Sequence, residues 1–240
     1  MKLPFDGHSR CRLYLVRHGQ AAARSGGGLY EDDIRLTPRG IEEARAMRDF
    51  LAASPIDVAY SSDMQRARET AAIVLSARSL EAAPSPSFTE IRGDLHAALA
   101  ADIPLMQKLA SFAYMMWNAR DPKWRFLGGD SPAEYLAAAG QTLTRVVRDH
   151  AGRRVLIVSH SGFQRAALCW TLDCPPVGMA AFEQDSCCLN VLDIDVDAAG
   201  AIVRKHLRLA NFTPWDASKE NSLLTDGEQL AERLHSALKT

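Results

Sequence analysis

The chain has 240 residues, 47% of them hydrophobic and 24% charged, the composition of a soluble globular protein with one sizeable core or two small ones. Its 28 basic and 29 acidic residues leave a net charge of −1, which excludes a general pull toward nucleic acid or anionic membrane, so any anion-binding charge has to be local. No apolar run approaches the roughly 20 residues of a membrane span, "MKLPFDGHSRCR" lacks the apolar stretch of a secretory signal, and five cysteines without CxxC spacing suggest neither a disulfide framework nor a zinc site. The expectation is a cytoplasmic protein.

Short aliphatic runs alternate with helical patterns, the rhythm of a parallel sheet with crossover helices. "RLYLV" (Arg12 to Val16) is the first strand. "TPRGIEEARAMRDFLAAS" follows a glycine-rich loop, with Thr37 as cap, Pro38 in the first helical position and Ile41, Ala44, Met47 and Leu51 at helical spacing. "DVAYSS" is the second strand, and Ser62 with Gln65 has the capping-box pattern that opens a helix over "DMQRARETAAIVLSA". "SFTEI" reads as a third strand ending near Glu90. Ser131, Pro132 and Glu134 open a long helix, "RRVLIVSHSG" is a fourth strand, and two strands meet around Ala198 to Gly200. The whole is expected to be one α/β domain over 1–240, a three-layer sandwich with a mostly parallel central sheet and helices on both faces. A cap-like segment is inserted at about 93–129, and Leu230, Leu234 and Leu238 space a C-terminal helix at about 226–238. In the insertion, Leu105, Leu109, Phe112 and Met116 form an apolar stripe that either packs on the core or lines a substrate pocket.

Ligands of open α/β sheets bind at the carboxyl ends of the strands, and there this chain collects its polar residues. Arg17 and His18 end the first strand; Ser61, Ser62 and then Arg66 follow the second; Glu90 ends the third; His160 ends the fourth. A phosphate monoester is a dianion that suits the paired donors of arginine, so Arg17 and Arg66 would clamp it. Neutral imidazole is a competent nucleophile at phosphorus, and either His18 or His160 could serve, the other stabilising charge on the transferring group. Glu90 could protonate the leaving oxygen and then activate water.

"LVRHGQ", "SSDMQRARETA", "TEIRGD" and "VSHSG", in this order, resemble the motifs of the histidine phosphatase superfamily, the phosphoglycerate mutase-like proteins. The resemblance runs from Leu13 to about Leu209. It implies that His18 is the phosphorylated nucleophile, that Arg17 and Arg66 form the phosphate pocket with His160 as second histidine, and that Glu90 is the proton donor. It implies further that Gly19 lets backbone approach the phosphate, and that neither metal nor other cofactor is used.

The pattern also departs from the family's. Ala21 and Arg24 stand where many members have Ser or Thr and Asn; Arg24 either binds a second acidic group of the substrate or is a solvated loop residue. Ser161 replaces a glycine of the commoner "SHGG" form and keeps a backbone donor, and the "GxWEG" that often follows the acid is absent. Substrate choice is therefore expected in Arg24, Arg92 and the insertion. The leading expectation is a phosphatase for a small phosphorylated metabolite, with no nucleic-acid or membrane partner. Phosphoglycerate mutase-type transfer, or a catalytically weak member that binds phospho-ligands as a scaffold, is the alternative; mutases of the family generally have "ERHYG" where this chain has "EIRGD". The apolar Tyr114 and Met115 offer a homodimer contact.

Overall fold

The strand β1 (Ser9–Arg17) alternates its side chains between two apolar layers. Cys11, Leu13 and Leu15 enter one core cluster, and Tyr14 and Val16 the other. The computed structural model describes residues 7–21, 33–93, 121 and 123–220. Within them the strands are β1, β2 (Val58–Ser61), β3 (Ala83–Pro84), β4 (Arg154–Ser159), β5 (Leu189–Val196) and β6 (Ile202–Phe212). The helices are α1 (Pro38–Leu51), α2 (Gln65–Leu75), α3 (Pro132–Asp149) and α4 (Ser161–Leu172).

The strands form one six-stranded mixed sheet in the order β3-β2-β4-β1-β5-β6. From β3 to β1 all neighbours are parallel, whereas β5 and β6 run antiparallel. Leu143 and Val147 of α3 and Phe163 and Leu168 of α4 bury against one face; Met47 and Leu51 of α1 and Ala67 and Val74 of α2 bury against the other. Burying a large aliphatic side chain is worth about 1.5–3 kcal/mol, so the two helical layers hold the sheet from both sides. This is the expected three-layer α/β sandwich. No helix among the described residues is long and apolar enough to cross a membrane.

The caps at Thr37 and Ser131 form as expected: Thr37 accepts from the Gly40 N–H, and Ser131 from the Glu134 N–H. Two expectations fail. "SFTEI" is not a strand: the third strand is only Ala83–Pro84, Pro86 just beyond it lacks the N–H that would continue the ladder, and a 3₁₀ turn over Pro86–Phe88 follows, capped by Ser85 accepting from the Ser87 N–H. Ser62 is not the cap of α2, whose N-cap position is Met64 and carries no side-chain cap bond. Arg24, Tyr114, Met115, the C-terminal helix at 226–238 and residues 94–120 and 122 of the insertion lie outside the described residues.

Candidate active site

Parallel pairing puts Arg17 of β1 opposite Ser159 of β4, so the next residues, His18 and His160, leave the sheet side by side. Their rings sit 5.1 Å apart, edge to face, and both are buried. Backbone bonds extend the alignment past the strands: the His18 N–H donates to Ser159 O at 2.9 Å, and the Ser62 N–H to Val158 O at 2.8 Å. Three strand exits therefore open onto one spot.

The His18 ring has its tautomer fixed by a neighbour that can only accept. Nδ1 lies 2.8 Å from the Gly19 carbonyl oxygen, so Nδ1 carries the proton and a neutral ring keeps its lone pair on Nε2. Arg66, on the first turn of α2, donates from Nε to that Nε2 at 3.2 Å. Burial holds the His18 pKa well below its ordinary 6.5, with the charges of His160, Arg66 and Arg17 adding to the effect. His160 is depressed for the same first cause and by the same two arginines. Its Nε2 pairs with Ser62 Oγ at 2.8 Å, which orients the ring, while its buried Nδ1 has no hydrogen-bond partner among the described residues.

Glu90 is positioned by what brackets it. Phe88 and Ile91 are both buried in the core, and Tyr135 donates to the Thr89 carbonyl at 2.7 Å, so the carboxylate is held although its segment is irregular. Oε1 accepts from the N–H groups of Gly162 at 2.7 Å and Ile91 at 3.0 Å, and among the described residues Oε2 accepts no hydrogen bond. Burial raises the Glu90 pKa despite those two donors and the nearby Arg17 and Arg66, which favour the charged form. A rise in pKa is the direction that favours the protonated form, the one a general acid requires.

The remaining expected residues divide. Arg17 donates from Nη1 to the Gln184 carbonyl at 2.6 Å. At Gly19 a Cβ would meet the Gly40 backbone oxygen at 2.5 Å, so the close packing of the two segments itself requires glycine, and the Gly19 N–H donates to Thr70 Oγ1. Ser161 starts α4, and its hydroxyl accepts from Arg165 Nε at 3.1 Å. Arg92 is exposed beside Glu90, its backbone tied to Asp130. Sequence reasoning missed Gly162, where a Cβ would meet Glu90 Oε1 at 2.2 Å, and misread Ser62 as a cap. The glycine kept in "SHSG" was the signal for the first; nothing local marked Ser62 as the partner of His160.

Cavities of about 750 Å³ along α3 and α4 and about 620 Å³ along α2 lie elsewhere, and neither lining contains a histidine. Among the described residues no group of three or more His, Cys, Asp or Glu side chains is arranged to hold a metal ion.

The sequence profile of the histidine phosphatase superfamily (branch 1) matches residues 13–206. The chain belongs to that family. Among curated relatives, the adenosylcobalamin/alpha-ribazole phosphatase of Escherichia coli is 30% identical over 190 residues, 77% of this chain and 90% of the relative. The 2-carboxy-D-arabinitol-1-phosphatase of Triticum aestivum is 26% identical over 205 residues; these span 85% of this chain but only 41% of that longer protein. Mycobacterial glucosyl-3-phosphoglycerate phosphatase shares the fold with a TM-score of 0.67 at 24% identity, over 84% of this chain and 99% of the other. These three relatives of this histidine phosphatase superfamily member are named as phosphatases, consistent with a phosphoric monoester hydrolase, while a phosphoglycerate mutase of Methanosarcina mazei is 43% identical over a shorter stretch of 65 residues, 27% of each chain.

Proposed function

We propose that this histidine phosphatase superfamily member hydrolyses a small phosphorylated metabolite, without a metal, through a phosphohistidine at His18. The observation that carries the reading is the His18 ring itself, with Nδ1–H spent on the Gly19 carbonyl and Nε2 facing Arg66. The Nε2 lone pair attacks phosphorus and the bond to the leaving oxygen breaks, that oxygen taking the proton of Glu90. Water then attacks the phosphoryl group and gives its proton to the Glu90 carboxylate, while the N–P electron pair returns to Nε2. Arg17, Arg66 and His160 hold the equatorial oxygens as their charge shifts.

In this reading the chain acts as one domain in the cytoplasm, and Arg24, Arg92 and the 93–129 insertion select the substrate. Brief mixing with ³²P-labelled phosphate ester should trap an acid-labile, base-stable phosphoenzyme, and its absence with a hydrolysed substrate sinks the mechanism. Measuring released phosphate against isomerised phosphoglycerate, with a bisphosphate primer present, separates hydrolysis from mutase transfer.

A further inference from the structure

Behind the site three amide side chains, Gln164, Gln184 and Asn190, are completely buried against the sheet. A buried amide left unpaired costs about 1–3 kcal/mol, so such a group persists only where every polar atom is answered. Here the answers have a direction. The Asn211 N–H, which can only donate, points at Asn190 Oδ1 at 2.8 Å and so assigns oxygen and nitrogen in that amide. Asn190 Nδ2 must then donate, and its two hydrogens reach Gln164 Oε1 at 2.9 Å and Gln184 Oε1 at 2.7 Å. Gln184 Nε2 in turn donates to the Glu183 carbonyl at 2.5 Å.

The source of that direction is an irregularity in the sheet. Between the pairs Leu189↔Phe212 and Val191↔Leu209 the β5–β6 register slips, and Asn211 sits in the slip with φ 49°. A bulge of this kind re-aims its residue out of the ladder. Asn211 uses its side chain to clamp Asp185 as well, accepting the Asp185 N–H at 2.8 Å. The segment carrying Gln184 is thereby held from two sides, and its carbonyl is the acceptor for Arg17 Nη1.

We propose that Gln184, locked by Asn190, is a positioning residue that sets the Arg17 guanidinium for the phosphoryl group. This rests on the phosphatase reading for its consequence but not for its geometry. The test is Gln184→Met, which keeps the main-chain carbonyl and the side-chain bulk while removing the amide. With p-nitrophenyl phosphate and orthovanadate as probes, kcat/KM should fall and the vanadate inhibition constant should rise, each about tenfold, in a protein that still unfolds cooperatively but at a thermal midpoint lower by a few degrees, because Asn190 Nδ2 loses one acceptor. In an Arg17→Ala background the same substitution should change either quantity less than about twofold, since its effect passes through Arg17. Equal losses in both backgrounds, or no loss in the first, overturn the proposal. The ¹H–¹⁵N signals of the Arg17 guanidinium, assigned by their disappearance in Arg17→Lys, give a readout without turnover. They should broaden or shift in Gln184→Met. If they do so in a protein inert toward phosphate esters, the phosphatase reading fails while the positioning role stands; if they do not move, the positioning role fails.

Discussion

The two ends of β1 carry the same residue type in opposite settings. At its beginning Arg10 and Arg12 are each gripped by both oxygens of a carboxylate, Asp195 and Asp193 on β5, and Arg204 adds a further bond to Asp195. At its end Arg17 gives Nη1 to a main-chain carbonyl, and nearby Arg66 gives Nε to an imidazole and Nη2 to the Met64 thioether. A carboxylate partner answers a guanidinium's charge with its own, whereas carbonyl, imidazole and thioether acceptors orient the group without carrying a formal charge. The strand thus begins in an ion-pair layer with β5 and ends beside the His18–His160 pair, where the proposed chemistry takes place.

Substitutions around the two ends of this strand should separate them cleanly. His18→Ala should lower kcat by at least roughly 10⁴-fold, as loss of a covalent nucleophile does, and abolish the labelled phosphoenzyme in the same trapping assay. Arg66→Ala should cost roughly 10²–10³-fold in kcat/KM, read with p-nitrophenyl phosphate, because one preorganised donor to the transferring oxygens is gone. If Arg12→Ala costs as much activity as Arg66→Ala, the contrast between the ends is wrong.

Glu90 sharpens the contrast by leaving group. Glu90→Gln should slow an alkyl phosphate ester by roughly 10²-fold, the scale of one positioned general acid, and p-nitrophenyl phosphate by less than about tenfold, since nitrophenolate needs little protonation. Gly162→Ala should show the same leaving-group pattern, because its added methyl would displace the carboxylate it now holds. Equal slowing of both esters in Glu90→Gln would remove Glu90 as the acid. At the opposite end Arg12→Ala should leave kcat/KM within about twofold and cost about 1–3 kcal/mol in urea unfolding, since it strips a bidentate partner from a buried Asp193.

What the amino-acid order disclosed follows from how local each signal is. Strand exits, the Thr37 and Ser131 caps and the alternation of β1 are written within a few residues, and so the sheet and the meeting of Arg17, His18, Arg66 and His160 at its carboxyl ends were legible. Pro86, immediately before "SFTEI", was an equally local signal, and it opens the 3₁₀ turn that takes the place of the expected strand. Ser62 showed a capping pattern that tertiary contact with His160 overrode. The amides of Gln164, Gln184 and Asn190 come from three segments and only pair once the sheet and α4 are in place, so no window of sequence could reveal them.

Acid should take the two ends apart in order, the histidine pair first. The folded-state pKa values of His18 and His160 lie below the ordinary 6.5, first because burial disfavours the charged ring. Between 6.5 and those lowered values the unfolded chain binds protons that the folded chain refuses, so stability is complete above 6.5 and declines as the pH falls, by at most about 1.4 kcal/mol per pH unit for each ring. Asp195 works in another window. Its carboxyl is held below its ordinary 3.8 first by the hydrogen bond from Arg10, with burial opposing, so its contribution is present above 3.8 and lost only as the pH drops through the lowered value. Urea midpoints measured from pH 7.5 down to 5 should therefore fall in the native protein and fall less in His18→Gln, which has no ring to charge, while Asp195→Asn should run parallel to the native curve over that range. Glu90, whose pKa burial raises, acts in the opposite sense in both proteins, so the comparison between the two curves decides: a His18→Gln curve that falls as steeply as the native one would mean that the His18 ring protonates as readily folded as unfolded, against the direction its burial dictates.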